Sequence, residues 1–282
     1  MPWRAIFLAV LSAAITLTPA ACQAGAEVRI GSGLLSQPDS AGVCSAACTA
    51  GNLFLPSSKA AFQGVLSPVN GTVASWLYRS GDSPESPISL RILHPNGGLS
   101  FTGAGTSSSV PVFGGIRGQF GTALPIRIGD AIGIDSNGAQ IVSTGIAGAT
   151  QVSWTLPPLA DGGTRDATIG TDVETMVQAI IAPTNTVSFG AVQRNRRKGT
   201  ASIRVQVPNA GTLSYSGVGI TGTGPASVNA PGEIQIFVKV RGKKRDRLRK
   251  RGSAWVSPQV TFLPVQGDAG TTIDKLKLVK KL

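Results

Sequence analysis

The sequence has little of what most enzymes use for catalysis or metal binding. It contains one histidine, His94, and three cysteines among 282 residues. Charged residues make up 14% of the chain and aromatic residues 5%, whereas about 25% of residues in soluble domains are charged. The scarcity of histidine argues against most metalloenzymes and histidine-based catalytic sites. The scarcity of charge argues against coiled coils and long exposed helices, which need runs of Ala, Glu, Lys and Leu.

Glycine, proline and β-branched residues are abundant instead. The chain has 36 Gly and 18 Pro, and 41% of its residues are hydrophobic, which is too many for a disordered chain. Short β-branched or alternating runs extend from Val73–Tyr78 to Glu174–Ile181, with Gly, Pro, Asn, Asp and Ser clusters between them. Antiparallel sheets of this size must close or pair face to face. We therefore predict a jelly-roll-like antiparallel β-sandwich over residues 27–182.

The second half alternates more regularly. In Thr200–Val207 the residues at 201, 203, 205 and 207 are apolar and those between them are polar, so one face is expected to be buried. The alternation returns in Ile234–Val240, Ala254–Phe262 and Ile273–Val279. This pattern predicts an immunoglobulin-like β-sandwich over residues 183–282. The whole chain is expected to be all-β.

The amino terminus has the pattern of a secretory signal peptide. Arg4 precedes the uncharged apolar stretch Ala5–Leu17, which is shorter than the ~20 residues that span a bilayer. Pro19 and small residues follow, so we predict a signal peptide over residues 1–26 with Glu27 as the first mature residue. A lipoprotein signal ending at Cys22 is the alternative, and Pro19 disfavours it. The protein is expected to be secreted or associated with the cell envelope, without a transmembrane helix in the mature chain.

Removal of residues 1–26 leaves two cysteines, Cys44 and Cys48. An even pair in an oxidising compartment predicts a disulfide, which would stabilise the fold by about 2 kcal/mol through a short loop. A zinc site would need two more ligands, and only His94 is available.

Charge divides the mature chain into two unlike parts. Residues 27–182 carry 7 basic and 10 acidic side chains, whereas residues 183–282 carry 18 basic and 4 acidic ones. Together with the turn-forming Pro183-Thr-Asn185, this asymmetry predicts a domain boundary near residue 183.

The segment 243–251 has the highest charge density in the chain. Seven of its nine residues are basic: Lys243, Lys244, Arg245, Arg247, Arg249, Lys250 and Arg251. One interpretation is a crossover between core strands, with Leu248 as its apolar anchor and the charges solvated. The other is a patch that binds anionic polymers, because Arg forks match phosphate and carboxylate groups and clustered cations attract polyanions. Both remain open. Nearby, Trp255 is expected on the outward face beside basic residues.

Several short motifs follow one another along most of the mature chain. The second half contains Lys198–Pro208, Gly211–Gly217, a basic segment ending in Arg251-Gly252, and Val260–Pro264. The first half contains Cys44-x-x-x-Cys48-Thr49, Ser67–Val73 leading to Trp76, Ser89–Leu93, Leu124–Asp135 and Pro157–Gly162. In this order they resemble a family of two-module secreted all-β proteins of high-GC bacteria. The resemblance implies a jelly-roll-like domain followed by an immunoglobulin-like or fibronectin-like basic module that closes with the lysine-rich Lys275–Lys281. It implies no activity.

Acidic loops offer candidate cation sites. Asp135-Ser-Asn-Gly138 begins like a calcium loop, but position 146 is Ile where such a loop needs Glu, and an Asn-Gly hairpin turn between Ile134 and Gln140 is favoured. A second group of acidic residues consists of Asp161, Asp166, Asp172 and Glu174. These residues could form an irregular cation site, although solvated loop acids are the favoured interpretation.

Histidine and aromatic residues are the remaining candidates for catalytic and sugar-binding groups. His94 has no recognisable Ser or Asp partner in its sequence context, and no G-x-S-x-G motif occurs, so a strand-end histidine is favoured. Trp76 and Tyr78 are expected to share a strand face with Ala74, and Trp154 lies in another alternating strand. Aromatic residues in a sandwich fill the core more often than they bind sugars.

These features predict a non-catalytic binding or structural protein, secreted or held at the cell envelope. Its basic C-terminal module would retain it on anionic wall polymers or lipid surfaces. The alternatives are a carbohydrate-binding module or lectin that uses the first sandwich, and, with least support, a hydrolase that uses acidic loop residues. No cofactor, metal or catalytic residue is predicted, and no base-reading motif indicates a specific nucleic-acid partner.

Overall fold

The computed structural model describes residues 27–82 and 86–282. The predicted signal peptide, including Cys22, lies outside these residues. The described chain consists of antiparallel β-strands, turns, a short 3-10 helix (Gly42–Ser45) and a ten-residue α-helix. The fold is therefore all-β, as the alternation and the turn residues predicted. Among the described residues, no helix has the length and apolar character required to cross a membrane.

The N-terminal sandwich is built from short strands in the first part of the chain. They are β1 (Val28–Gly31), β2 (Ala47–Phe54), β3 (Gly71–Arg79), β4 (Ser86–Gly97), β5 (Ser100–Thr106), β6 (Val110–Val112), β7 (Arg117–Ile126), β8 (Ala131–Asn137), β9 (Val142–Thr144), β10 (Thr150–Thr155), β11 (Thr164–Asp166), β12 (Thr168–Thr171), β13 (Val173–Thr175) and β14 (Val177–Pro183).

Their pairing is that of a jelly roll. One sheet has the order β1-β14-β3-β7, and the centre of the larger sheet has the order β5-β4-β8-β2. If these eight strands are numbered one to eight in chain order, the smaller sheet has the order 1-8-3-6 and the larger sheet the order 5-4-7-2. These are the two interleaved Greek keys of a jelly roll. The larger sheet is extended by β11 at one end and by β10 and β12 at the other, while β9 and β13 form a separate pair.

The core of this sandwich lies between the two sheets. Ile30, Val73 and Trp76 of the smaller sheet and Leu90 and Ile132 of the larger one are all nearly or fully buried members of a single hydrophobic cluster. Burial of this apolar surface is the main force that holds the two sheets together.

A β-bulge in β3 decides which aromatic residues face this core. The register against β7 shifts between Val73 and Ser75, so Ala74 is exposed while Trp76 and Tyr78 are buried. The prediction that Ala74 shares their face is wrong, because the bulge adds one residue to the strand and changes the alternation.

The C-terminal sandwich follows. Its elements are β15 (Ser188–Asn195), β16 (Thr200–Val207), β17 (Gly211–Ser216), β18 (Thr223–Val228), β19 (Gly232–Val238), α1 (Gly242–Arg251), β20 (Ser253–Val256), β21 (Gln259–Pro264), β22 (Gly270–Ile273) and β23 (Leu276–Val279). One sheet has the order β15-β16-β19 and the other β18-β17-β21-β22. A three-stranded sheet facing a four-stranded one in this connectivity is an immunoglobulin-like arrangement.

The predicted buried face of β16 is confirmed. Ala201, Ile203, Val205 and Val207 are all buried, and they belong to the core cluster of this sandwich together with Val260 and Phe262 of β21.

Two strands predicted as continuous are each divided in the structure. Ala254–Phe262 breaks at Ser257-Pro258, and Ile273–Val279 breaks at Asp274-Lys275. The first piece of the earlier strand, β20, pairs with the last piece of the later strand, β23, in a separate two-stranded ladder. The other two pieces, β21 and β22, pair in the four-stranded sheet. The break follows from Pro258, which has no N–H to donate to a ladder.

Hydrogen bonds around Asn209 connect the two sandwiches. The Asn209 side chain is 1% exposed. Its amide oxygen accepts the backbone N–H of Asn70 at 2.7 Å, and its amide nitrogen donates to the carbonyls of Asn70 at 3.0 Å and Thr184 at 2.9 Å. The Thr184 N–H also donates to the Asn70 carbonyl, at 2.9 Å. The segment around residue 183 is therefore bonded to the first sandwich, and the domain boundary there stays a prediction.

Candidate anion-binding surface

The basic segment 243–251 lies in helix α1, and the sequence did not predict a helix there. Arg241 is extended and precedes the helix. Gly252 ends it in the left-handed conformation, with φ of 67°, and its N–H donates to the Leu248 carbonyl at 3.1 Å. Glycine is favoured at this position because it has no Cβ to clash there. Leu248 is 3% exposed and belongs to the core of the C-terminal sandwich, as its interpretation as an apolar anchor predicted.

Gly199, in the turn before β16, makes room for the helix. A Cβ at this position would lie 2.7 Å from the Leu248 side chain and 3.2 Å from Cβ of Lys280, and the φ of Gly199 is +69°. Helix α1, this turn and the end of the chain therefore meet at one residue.

The basic side chains of α1 are presented to solvent. Lys243, Arg245, Arg247, Arg249, Lys250 and Arg251 are exposed, and Lys244 is half-buried. Within the described residues, no carboxylate forms an ion pair with any of the seven. The three basic residues of the last turn are favoured by the helix dipole, whereas those of the first turn are opposed by it. The helix thus carries charge that its own fold does not neutralise.

Two further basic segments lie beside the helix. The end of β15 and the turn that joins it to β16 carry exposed Arg194, Arg196, Arg197 and Lys198. The end of the chain carries Lys277, Lys280 and Lys281. The backbone N–H of Lys281 donates to the Arg196 carbonyl at 2.7 Å, and that of Lys280 donates to the Gly252 carbonyl at 2.8 Å. Arg194 Nε donates to the Lys277 carbonyl at 3.0 Å.

We call these three segments together the basic surface. Sequence reasoning placed a site on the α1 residues and missed the basic residues at 194–198. The run Arg196-Arg197-Lys198 was the available signal, but its position beside α1 depends on backbone bonds between residues far apart in the chain.

The predicted disulfide is present. Cys44 and Cys48 are bonded across a separation of four residues, with Cα atoms 5.0 Å apart. Both are fully buried; Cys44 lies in the 3-10 helix Gly42–Ser45 and Cys48 at the start of β2. This bond closes a small loop of the N-terminal sandwich. The basic surface is formed by residues of the C-terminal sandwich.

The aromatic residues of the N-terminal sandwich do not form a sugar-binding platform. Trp76, Tyr78 and Trp154 are 0%, 1% and 2% exposed. Trp76 and Tyr78 pack with Phe120, and Trp154 packs edge-on against Phe101. They fill the core, as the favoured interpretation predicted.

Asp135 and Asp161 form a polar network with Arg91. Arg91 is 6% exposed and donates to both carboxylates, with Nε 3.1 Å from Asp135 Oδ2. Thr49 donates to Asp135 at 2.6 Å and Thr106 donates to Asp161 at 2.7 Å. Asp135 on β8 is therefore bonded to Arg91 on the neighbouring strand β4. The predicted Asn-Gly hairpin after it is wrong, because β8 pairs with β2 and β4 whereas β9 pairs with β13.

The remaining acidic candidates differ in their surroundings. Asp172 Oδ1 accepts the Gly148 N–H at 2.9 Å, and Asp166 is exposed. Glu174 is fully buried and accepts hydrogen bonds from Ser32 at 2.6 Å and Ser36 at 3.1 Å. In the part of the chain that the structure describes, no group of three or more His, Cys, Asp or Glu side chains is arranged to hold a metal ion.

His94 has a partner that its sequence context did not reveal. Its Nδ1 lies 2.6 Å from Oδ1 of Asp130, which is 2% exposed. The other Asp130 oxygen accepts the Arg127 N–H at 2.8 Å. This contact ties the end of β4 to the turn that precedes β8.

Two sandwiches, one with a disulfide and one with a basic surface, make up the all-β structure of the described residues. The sequence matches no protein-family profile and no curated protein. The resemblance to two-module secreted proteins of high-GC bacteria stays a prediction.

Proposed function

We propose that this protein is a secreted, non-catalytic binding protein that its C-terminal sandwich retains on anionic polymers of the cell envelope. The basic surface carries the proposal. Three basic segments lie side by side, and within the described residues none of their side chains is in an ion pair. Gathered like charges repel one another, and an anionic partner relieves that repulsion.

Two further features support this proposal. The pattern of residues 1–26 is that of a secretory signal, and the Cys44–Cys48 disulfide suits an oxidising compartment. The buried carboxylates and His94 are engaged in hydrogen bonds that hold strands together, which favours a binding role over a catalytic one.

The test is binding of the secreted protein to isolated cell envelopes at increasing salt. Affinity should fall steeply as ionic strength rises, because the screening length shrinks from about 30 Å at 0.01 M to about 8 Å at 0.15 M salt. Arg247→Gln combined with Arg249→Gln should weaken binding about 30-fold, since each charge near an anionic surface contributes about 1 kcal/mol.

The matched control is Arg127→Gln combined with Arg165→Gln. Both residues are exposed and lie on the N-terminal sandwich, so this variant loses the same formal charge away from the basic surface. Its envelope binding should stay within about twofold of the unchanged protein. Equal weakening by both double variants would show that only net charge matters, and binding that ignores salt would refute retention by charge.

A further inference from the structure

A cleft of about 810 Å³ opens beside the start of α1. Its walls come from the loop that follows β17, from the residues that begin α1, and from the place where β20–β23 separates from β21–β22. This volume lies within the range of about 300–1,000 Å³ that is usual for ligand sites.

Three large apolar side chains in the cleft are open to solvent. Trp255 is 54% exposed, Val218 84% and Ile273 62%. Trp255 points outward because its neighbours Ala254 and Val256 are buried in the core. It stacks on no other ring within the described part of the chain. The indole therefore offers a flat apolar face without a partner.

The same cleft is lined by three cations, Arg241, Lys244 and Lys275, and by no carboxylate. The stem of Lys244 crosses Gly219, whose φ is +80° and where any Cβ would clash with that stem. The nearest acid in sequence, Asp274, accepts the backbone N–H of Lys275 at 2.7 Å. Cationic and apolar groups thus share one concave surface, continuous through α1 with the basic surface.

The concave shape distinguishes between two kinds of anionic partner. A membrane surface is contacted by side chains that protrude and enter the headgroup region. Here the indole lines a cleft together with Ser257 and Gln259, whose polar groups suit hydroxyl-rich ligands rather than acyl chains. Apolar, hydroxyl-binding and cationic groups in one cleft match the chemistry of an acidic sugar.

We propose that this cleft binds one sugar unit of an acidic polysaccharide. The Trp255 indole stacks on the apolar face of the sugar ring, Arg241, Lys244 and Lys275 bind its carboxylate or phosphate, and the neighbouring polar groups bind its hydroxyls. The inference rests on the proposed function and names the chemical class of its ligand.

The experiment measures binding of four probes to the secreted protein at fixed ionic strength. They are an oligogalacturonide, its methyl ester, a phosphomannan oligosaccharide, and inorganic polyphosphate, which has charge but no ring. Because Trp76 and Trp154 are buried, a change in tryptophan emission on binding reports Trp255. At least one acidic sugar should change this emission, and the methyl ester should bind at least tenfold more weakly than the acid. The tighter of the two acidic sugars identifies the anionic group.

Trp255→Ala should weaken binding of the acidic sugar at least tenfold and leave polyphosphate within twofold, whereas Trp255→Phe keeps most of the affinity. Phe62→Ala, which removes a 90% exposed aromatic residue from the N-terminal sandwich, is the control and should change nothing. The thermal midpoint should be unchanged in Trp255→Ala because the side chain lies at the surface.

Failure of this inference can be told from failure of the proposed function. Polyphosphate binding together with acidic-sugar affinities that Trp255→Ala leaves unchanged would overturn the cleft and leave charge-based retention intact. A shift of Trp255 emission by phosphatidylglycerol vesicles, with no acidic-sugar binding, would assign the cleft to a lipid surface instead. No binding of any polyanion at low salt would overturn both.

Discussion

At the scale of single residues, Tyr215 in β17 links two segments of the C-terminal sandwich. It is 3% exposed, and its hydroxyl lies within hydrogen-bond distance of the Phe237 carbonyl, at 2.5 Å, and of the Thr221 carbonyl. Burial raises the pKa of Tyr215 above its usual value, because a phenolate would lie unsolvated beside two carbonyl oxygens.

This arrangement predicts a loss of stability at alkaline pH. The folded protein keeps the Tyr215 proton after the unfolded chain has released it, so the stabilising contribution is complete below about pH 10 and is lost as pH rises through the higher folded pKa. Tyr215→Phe should lower the free energy of unfolding by about 1–3 kcal/mol at pH 8. Between pH 8 and 11 the variant should lose less of its free energy of unfolding than the unchanged protein does. Urea unfolding at both pH values measures this.

Tyr78→Phe is the comparison, because burial also raises the pKa of Tyr78 and the chain has only these 2 tyrosines. The double variant should show the weakest dependence on alkaline pH. Identical losses of stability in the unchanged protein and the double variant would mean that other groups, such as lysines, account for alkaline unfolding.

At the scale of elements, α1 depends on one apolar contact. Leu248 is its buried residue, while seven cations surround it. Burial of a leucine contributes about 1.5–3 kcal/mol, so the helix is held to the sandwich chiefly by this side chain and by its glycine cap.

Leu248→Ser should therefore lower the free energy of unfolding by about 2–3 kcal/mol and speed hydrogen exchange of the amides at 242–251. Polyphosphate affinity should change little, since all seven charges remain. Arg247→Gln combined with Arg249→Gln should do the reverse, lowering affinity and sparing stability. If Leu248→Ser abolished binding while the fold persisted, the ordered helix would be needed for recognition in addition to its charge.

At the scale of the whole molecule, Asn209 controls how the sandwiches are joined. Asn209→Ala leaves the Asn70 N–H and the Thr184 carbonyl without this partner, at a cost of about 1–3 kcal/mol for buried groups. The segment around residue 183 should then open, and limited proteolysis should cut it first, giving two fragments divided there.

The unchanged protein should resist cleavage at the same segment, because Pro183, Thr184 and Asn185 are half-buried. Asn229→Ala, at an exposed asparagine of the C-terminal sandwich, is the control and should behave like the unchanged protein. Cleavage of Asn209→Ala at the unchanged rate would show that other contacts hold the joint.

Much of the architecture followed from local patterns. Alternation at positions 201 to 207 identified the buried face of β16, and the Cys44–Cys48 spacing indicated the disulfide. The outward position of Trp255 followed from its apolar neighbours. The helical conformation of residues 243–251 did not follow from such a pattern. The segment has seven basic residues and a single apolar one, so no helical period of apolar residues can be recognised.

The sequence by itself determined the all-β class and the concentration of positive charge after residue 183, since these are properties of composition and of neighbouring residues. The secretory signal stays a prediction. Only the tertiary structure decided that the segment 194–198, α1 and the chain end form one basic surface. It also placed Trp255 with Arg241 and Lys275 in one cleft. The reason is that strand order and strand pairing depend on backbone hydrogen bonds between distant segments, which leave no periodic trace in the chain.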